Sequence, residues 1–316
     1  INSIGYTAEH GVDVNNIKIH LSIDEQSPHI SMGVNINKDK EQGAGDQGLM
    51  FGYACNETEE LMPLPIQMAH KLTYKLSEVR KNGDLGWLGP DGKSQVTIEY
   101  KNNKPIKVKK VVIATQHKDL LNRFNNELEE HKFISEEIIN NVILPVLSEY
   151  QINYNNDFIV NGTGRFVVGG PVVDTGLTGR KIIVDTYGGY AKHGGGAFSG
   201  KDPSKVDRSA AYMARYIAKN IVAAKIADHC EVQLAYSIGV AEPVSLLVDT
   251  MGTGYIKDDK IQDIVKSNFL LKPEEIIKQL NLKTSFYQPL SSYGHFGRED
   301  YPWERLDKVD ELKKYV

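Results

Sequence analysis

The chain has 316 residues, of which 41% are hydrophobic and 25% charged, and its formal net charge is −4. A chain of this length can bury a large core and is long enough for two or three domains. No apolar run approaches the ~18 residues that span a bilayer, and the net negative charge gives no reason to expect nucleic acid. We therefore expect a globular protein that neither spans a membrane nor binds nucleic acid.

The predicted elements alternate between helices and strands. Helices are indicated by apolar residues at three- and four-residue spacing, and strands by runs of β-branched and aromatic residues. In chain order we predict a helix at 61–80, strands at 96–100 and 108–115, a helix at 135–146, a strand at 181–185, a helix at 205–227, a strand at 231–238 and a helix at 273–279. Asp202 suits the N-cap of the helix at 205–227, and Pro203 suits its first position. The mixture predicts an α+β fold.

The two cysteines, Cys55 and Cys230, lie far apart and form no C-x-x-C pair. This spacing argues against a disulfide framework and against a zinc site, and it favours a reducing cytoplasm. The N-terminal residues have no basic segment followed by an apolar stretch, so they do not resemble a secretory signal. Because the chain does not begin with methionine, we expect that the natural protein starts further upstream.

A glycine-rich, lysine-bearing segment at 193–207 reads His-Gly-Gly-Gly-Ala-Phe-Ser-Gly-Lys-Asp-Pro-Ser-Lys-Val-Asp. Consecutive glycines let backbone amides approach a ligand, and a following helix N-terminus favours an anion. Lys201 and Lys205 add positive charge, while Asp207 would repel a phosphate unless a divalent cation such as Mg²⁺ bridged them. The segment therefore predicts a phosphate site. The alternative is a tight turn with solvated lysines.

A P-loop is a second alternative, because Gly195, Gly200 and Lys201 fit G-x-x-x-x-G-K. The next residue of a P-loop is Ser or Thr, which binds magnesium, whereas this chain has Asp202. A P-loop phosphotransferase is thus a minor alternative.

Residues 194–212 resemble one sequence block of the methionine adenosyltransferase (S-adenosylmethionine synthetase) family. Residues 43–54, Gly-Ala-Gly-Asp-Gln-Gly-Leu-Met-Phe-Gly-Tyr-Ala, resemble a second block, and shorter matches lie at 164–166, 176–181, 185–189 and 293–298. The resemblance covers almost the whole chain. It implies an α+β fold of three similar intertwined β-α-β-β-α-β lobes in a pseudo-threefold arrangement, with the first lobe incomplete. The implied domains are 1–35 with a gating loop at 27–34, 36–165 and 166–316.

The resemblance also implies a reaction, its cofactors and its partners. ATP and L-methionine would give S-adenosylmethionine, and the released triphosphate would be hydrolysed to pyrophosphate and phosphate. Two Mg²⁺ ions per site and K⁺ would assist, in a cytoplasmic homodimer or homotetramer with active sites between subunits. A thioether sulfur needs no general base, so the absence of a catalytic triad is no objection.

Site residues follow from matching positions. The implied ATP contacts are Asp91, Gly92, Lys93, Arg165, Phe166, Asp174, Arg180, Lys181, Ala197 and Lys201. The implied methionine contacts are Gln26, Asp174 and Lys205, and the implied magnesium ligand is Asp207. The implied catalytic residues are Lys93, Arg180, Lys201 and Asp46. His295 is given no catalytic role, and His193 is either a turn residue or a phosphate donor.

The sequence departs from the family pattern in one respect. The family's N-terminal His-Pro-Asp-Lys motif, which contacts phosphate and magnesium, does not occur in these residues. We expect that the chain is a piece of an intact enzyme or a shortened form of one. A natural short form that binds nucleotide without turnover is the alternative.

Overall fold

The computed structural model describes residues 1–25 and 41–316. Gln26 and the predicted gating loop at 27–34 lie outside the described residues. The strands are β1 (Gly48–Cys55), β2 (Leu88–Lys101), β3 (Lys104–His117), β4 (Asn153–Tyr154), β5 (Phe158–Val160), β6 (His229–Tyr236) and β7 (Ser245–Asp249). The helices are α1 (Leu64–Lys81), α2 (Glu127–Ile138), α3 (Leu144–Ser148), α4 (Ile182–Asp185), α5 (Val206–Ala223), α6 (Asp258–Asn268), α7 (Pro273–Gln279) and α8 (Val309–Leu312). The α+β prediction is confirmed.

The described residues form two compact units. The first unit comprises Ile1–Ser22 and Leu64–Leu177, and the second comprises Ile23–Pro63 and Thr178–Val316. Across residues 1–25 and 41–316, no helix has both the length and the apolar character that crossing a membrane requires.

The first unit is built on a long antiparallel hairpin of β2 and β3, with β4 and β5 pairing in parallel with β3. Helix α1 places Leu64, Met68, Leu72 and Leu76 in the core at four-residue intervals, which puts them on one face of the helix. The π-helical turn Ile139–Ile143 joins α2 to α3, so the helix predicted at 135–146 lies within a longer helical stretch.

The second unit contains an antiparallel sheet in the order β1-β6-β7. The central strand β6 is buried along its whole length except at Gln233, because it has a neighbour on each side. Helix α5 buries every residue from Val206 to Val222 except Asp207. The amphipathic helix predicted from the spacing is thus buried on nearly all sides, and its one partly exposed carboxylate lies in its first turn.

A buried ion cluster joins α5 to the C-terminal part of the second unit. Glu304 accepts hydrogen bonds from Arg215 Nε at 3.0 Å, Arg215 Nη2 at 2.8 Å and the Gly297 amide at 2.9 Å, and Lys219 Nζ lies 2.8 Å from its Oε2. Burial on its own would raise the pKa of Glu304, but the Arg215 and Lys219 cations outweigh it and hold that pKa below its usual value. The two cations keep a fully buried carboxylate charged.

Two predictions about local structure are wrong. Residues 181–185 contain the helix α4 instead of a strand, with the Asp185 amide donating to the carbonyl of Lys181 at 2.9 Å. High β-propensity reflects packing on a sheet, and in the described part of the chain these residues pair with no strand. The N-cap of helix α5 is Lys205 and not the predicted Asp202. Asp202 and Pro203 belong to a separate turn before the helix, in which the Lys205 amide donates to the carbonyl of Asp202.

Candidate active site

The glycine-rich segment is a loop fixed to the core of the second unit by Phe198. This side chain is 3% exposed, and its ring lies edge-on to Tyr212 and His295, with centroid separations of 5.3 and 5.2 Å. His295 is itself buried, and its Nδ1 lies 2.8 Å from the Tyr212 hydroxyl. These contacts give His295 a packing role within the family-like block at 293–298.

His193 belongs to the turn of the loop. Its Nδ1 accepts a hydrogen bond from the Gly195 amide at 2.7 Å. Burial lowers the pKa of His193, although the nearby Asp207 carboxylate opposes this shift. A neutral ring with Nδ1 as acceptor is consistent with both observations, and of the two roles considered for His193 the turn is the one that these contacts support.

Close backbone approach brings the two family-like blocks together within the second unit. A Cβ atom on Gly194 would lie 1.6 Å from the carbonyl oxygen of Leu49, and one on Gly196 would lie 2.3 Å from Cγ of Asp207. Only glycine fits at these two positions, since a side chain would displace the strand or the carboxylate. The start of β1, the glycine-rich loop and the first turn of α5 therefore form one site.

Lys201 and Asp207 meet at this site. Lys201 Nζ lies 2.5 Å from Oδ2 of Asp207, and both side chains are partly exposed. The carbonyl of Lys201 accepts a hydrogen bond from Arg208 Nη1 at 2.7 Å, and the Arg208 guanidinium lies 4.1 Å from the centroid of the Tyr287 ring. The loop and the first turn of α5 thus present one cation and one carboxylate from a fixed backbone.

Two further predicted cations lie on a segment that packs against the loop. A Cβ on Gly179 would lie 2.9 Å from Cβ of Ala197, so the chain at 178–181 runs beside the loop. Arg180 and Lys181 are exposed, and neither forms an ion pair with any residue of the described ranges. Exposed cations beside a glycine-rich loop form a suitable site for a polyanion.

Lys205 and Asp46 complete the predicted residues of the second unit. Lys205 lies 3.5 Å from Asp202, in the turn before α5. Asp46 is exposed and accepts a hydrogen bond from the Gln47 amide at 2.8 Å. It lies two residues before Gly48, where an added Cβ would be 3.6 Å from Oδ1 of Asp207. The chain that holds Asp46 therefore enters β1 close to the Asp207 carboxylate.

The first unit holds a second group of predicted residues. Asp91 accepts a hydrogen bond from the Gly170 amide at 3.1 Å, and the Asp174 amide donates to the carbonyl of Gly170 at 3.2 Å. The half-buried Phe166 is held by its amide, which donates to Nε2 of His117 at 3.0 Å. Asp91 and Asp174 are therefore both hydrogen-bonded to the backbone of Gly170.

Arg165 and Lys93 differ in their surroundings. Arg165 forms ion pairs with two acidic residues: its Nε lies 2.8 Å from Glu130, and its Nη2 lies 2.5 Å from Asp119. Lys93 is exposed on β2, next to Gly92, and has no ion pair among residues 1–25 and 41–316. Lys93 therefore suits a phosphate contact better than Arg165, whose guanidinium already contacts two carboxylates.

Sequence reasoning missed two groups at the site in the second unit. Arg208 holds the backbone of Lys201, and the half-buried Asp185 has its pKa raised to about 6 by burial, with Arg208 acting in the opposite direction. Both residues stand inside the family-like blocks. Their position there was the available signal, because nothing in their spacing indicates these contacts.

The local structure argues against a P-loop. A P-loop follows directly from a strand, whereas the regular helix or strand before this loop in the described chain is the helix α4. Lys201 is also paired with Asp207, the carboxylate of the following helix. The minor alternative of a P-loop phosphotransferase is therefore not supported.

Two family models and a known enzyme match the chain. Residues 41–166 match the family "S-adenosylmethionine synthetase, central domain", and residues 168–305 match "S-adenosylmethionine synthetase, C-terminal domain". The S-adenosylmethionine synthase of Clostridium acetobutylicum is 54% identical over an alignment of 328 positions, which covers 100% of this chain and 82% of the relative. The resemblance found in the sequence is confirmed: the chain belongs to the S-adenosylmethionine synthetase family, whose members are methionine adenosyltransferases.

Proposed function

We propose that this protein transfers the adenosyl group of ATP to the sulfur of L-methionine in a direct displacement, and that it then hydrolyses the released triphosphate to pyrophosphate and phosphate. The observation that carries the proposal is the arrangement around the glycine-rich loop. The Lys201–Asp207 pair, with the exposed Arg180 and Lys181 on the adjoining segment, suits a triphosphate and a divalent cation.

Charge stabilisation is the main task of such a site. The methionine sulfur attacks the 5′ carbon with its own lone pair, so the protein supplies placement and a stabilised leaving group. We assign the leaving triphosphate to Lys93, Arg180, Lys181 and Lys201. Lys205 is assigned to methionine, and Ala197 contributes a backbone contact to ATP.

Asp207 is the proposed magnesium ligand, and its surroundings fit that role. Mg²⁺ binds through one or two carboxylates together with substrate phosphates, and Asp207 is the one side chain between Val206 and Val222 that α5 leaves partly exposed. When bound, Mg²⁺ neutralises charge on the phosphates. Lys201, which pairs with Asp207 in this structure, is proposed to contact the triphosphate. Two Mg²⁺ ions and K⁺ are proposed from the family, and Asp46 is proposed as a further acidic group.

The first unit is proposed to hold the adenosine and part of the methionine. Phe166 offers a ring face to adenine, and Asp91 and Gly92 lie on β2. Asp174 is exposed, so its carboxylate is able to hold the ammonium group of methionine. Arg165 is proposed to act on the adenine side through its position next to Phe166.

The family also supplies proposals about architecture and assembly. They are the three intertwined lobes, the domains 1–35, 36–165 and 166–316, a cytoplasmic location, and a homodimer or homotetramer with active sites between subunits. Among described residues, Val168, Val172, Val173 and Leu177 are exposed apolar side chains on one short stretch, which supports an assembly that covers them.

An assay of the full-length protein with ATP, L-methionine, Mg²⁺ and K⁺ tests the function. We expect S-adenosylmethionine, with one pyrophosphate and one phosphate for each molecule formed. Transfer of the γ-phosphate to another acceptor without methionine would refute the proposal. Tight ATP binding without any product would favour the non-catalytic nucleotide-binding form.

A further inference from the structure

The end of β1 and the start of β6 bring together side chains that bind metals. Cys55 is the register partner of His229 in the antiparallel ladder, and Glu57 follows two residues after Cys55. One potential ligand atom from each of the three residues lies within 4.8 Å of the other two. Cys55 and His229 are buried, and Glu57 is half-buried.

The limit of 4.8 Å on these separations is wider than the spacing of ligand atoms around a bound metal ion. Zinc bonds of about 2.0–2.3 Å at tetrahedral angles put the ligand atoms about 3.3–3.7 Å apart. Rotation of the half-buried Glu57 side chain and small shifts of the other two would close this difference. Sequence spacing indicated no zinc site because Cys55 and His229, which are distant in the chain, become neighbours only through strand pairing.

Tyrosine hydroxyls contact all three side chains, because Tyr53 also forms a hydrogen bond with Cys55. The Tyr53 hydroxyl lies 2.8 Å from Nδ1 of His229, and the Tyr190 hydroxyl donates to Oε1 of Glu57 at 2.8 Å. Partners of this kind set the ring orientation and the basicity of metal ligands. The group therefore has the supporting contacts of a metal site as well as the ligand atoms.

We propose that Cys55, Glu57 and His229 form a binding site for a zinc-class divalent cation. Sulfur and imidazole ligands select such an ion over Mg²⁺, which prefers oxygen. Cys55 would bind the cation as a thiolate, so binding releases the thiol proton into solution. Three protein ligands leave a fourth position for water or another small ligand.

The proposed site is separate from the carboxylate of Asp207. That carboxylate lies near Gly48, at the start of β1, whereas Cys55 is the last residue of the strand. At the usual rise of a strand, β1 extends about 23 Å between these two residues. The cation proposed here is therefore a different one from the magnesium assigned to Asp207.

Cobalt titration of the purified full-length protein tests the site, because a thiolate bound to Co²⁺ gives a charge-transfer absorption that oxygen and nitrogen ligands do not. We expect one such band that saturates at one Co²⁺ per chain and disappears when Zn²⁺ is added. Cys55→Ser should abolish it. Cys230→Ser is the matched control and should keep it, because Cys230 follows His229 on β6 and faces the other side of the sheet.

A second variant keeps the test decisive if Cys55→Ser does not fold. Glu57→Gln alters a half-buried ligand and should weaken Co²⁺ binding by at least roughly 10- to 100-fold, the loss typical of changing an outer-shell partner of a metal ligand. Zn²⁺ should also raise the melting temperature of the wild type more than that of Glu57→Gln. No thiolate band in the wild type, a band that persists in Cys55→Ser, or unchanged affinity in Glu57→Gln would overturn the proposal.

Discussion

The buried carboxylate Glu304 provides a sharp test of what stabilises the second unit. Its Oε1 accepts from Arg215 Nε and the Gly297 amide, and its Oε2 contacts Arg215 Nη2 and Lys219 Nζ. Glu304→Gln keeps one acceptor oxygen but directs an amide group at two cations. The variant therefore loses two charge-assisted contacts and leaves Arg215 and Lys219 without this counter-charge.

The expected cost follows from those contacts. Hydrogen bonds to charged groups contribute about 1.5–3 kcal/mol each, and breaking a buried ion pair costs about 3–5 kcal/mol. We therefore expect Glu304→Gln to lower the free energy of unfolding by about 3–5 kcal/mol. At about 2 °C per kcal/mol for a large domain, the melting temperature should fall by about 6–10 °C.

Thermal unfolding at pH 7, followed by circular dichroism or calorimetry, measures this effect. Asp310→Asn is the control, because the Asp310 side chain is 98% exposed and its contact with Lys313 is a surface pair at 3.4 Å. The folded-state pKa of Glu304 is lowered below 4.5, so its stabilisation is present above pH 4.5 and is lost as the pH falls through the folded value. A melting temperature for Glu304→Gln equal to that of the control would refute the reasoning.

Three further predictions concern the candidate active site. Lys201→Ala should reduce turnover by ~10²-fold or more, because it removes a preorganised charge from the leaving triphosphate, and steady-state kinetics measures this. Gly196→Ala should raise the Mg²⁺ concentration needed for half-maximal activity, because the added Cβ would lie 2.3 Å from Cγ of Asp207. Asp185→Asn should raise the melting temperature at pH 7.5 by a few degrees, because burial raises the pKa of Asp185 to about 6.

Each of these predictions has a control or a contradicting result. Lys257→Ala changes an exposed lysine before α6, and equal losses in the two lysine variants would favour solvated lysines at the loop. Gly86→Ala is the control for Gly196→Ala, because its added Cβ would lie 3.6 Å from the nearest atom. An equal rise in the required Mg²⁺ concentration in both glycine variants would contradict the second prediction. For Asp185, the raised folded pKa means that the proton-linked stability is present below pH 3.8 and lost as pH rises through about 6. If the increase in melting temperature of Asp185→Asn over the wild type does not become smaller toward pH 4, the third prediction is contradicted.

The residue types and their patterns were sufficient to predict the family and the main elements. The helix predicted at 273–279 is α7, and the strands predicted at 96–100 and 108–115 lie within β2 and β3. The prediction at 181–185 was wrong because β-branched residues form a strand only where a neighbouring strand is available. The predicted cap at Asp202 was wrong because a separate turn precedes α5.

The amino-acid sequence was enough to recognise the type of chemistry: a glycine-rich loop, several cations and one carboxylate, in blocks that resemble a known family. Which of these groups meet depended on the packing of the folded chain. That packing places Gly194 against Leu49. Among described residues, Arg165 forms ion pairs with two acidic side chains, whereas Arg180 and Lys181 form none. It also places Cys55 opposite His229. Contacts of this kind depend on strand register and close backbone approach, which are set by the packing of the whole unit and have no local pattern in the chain.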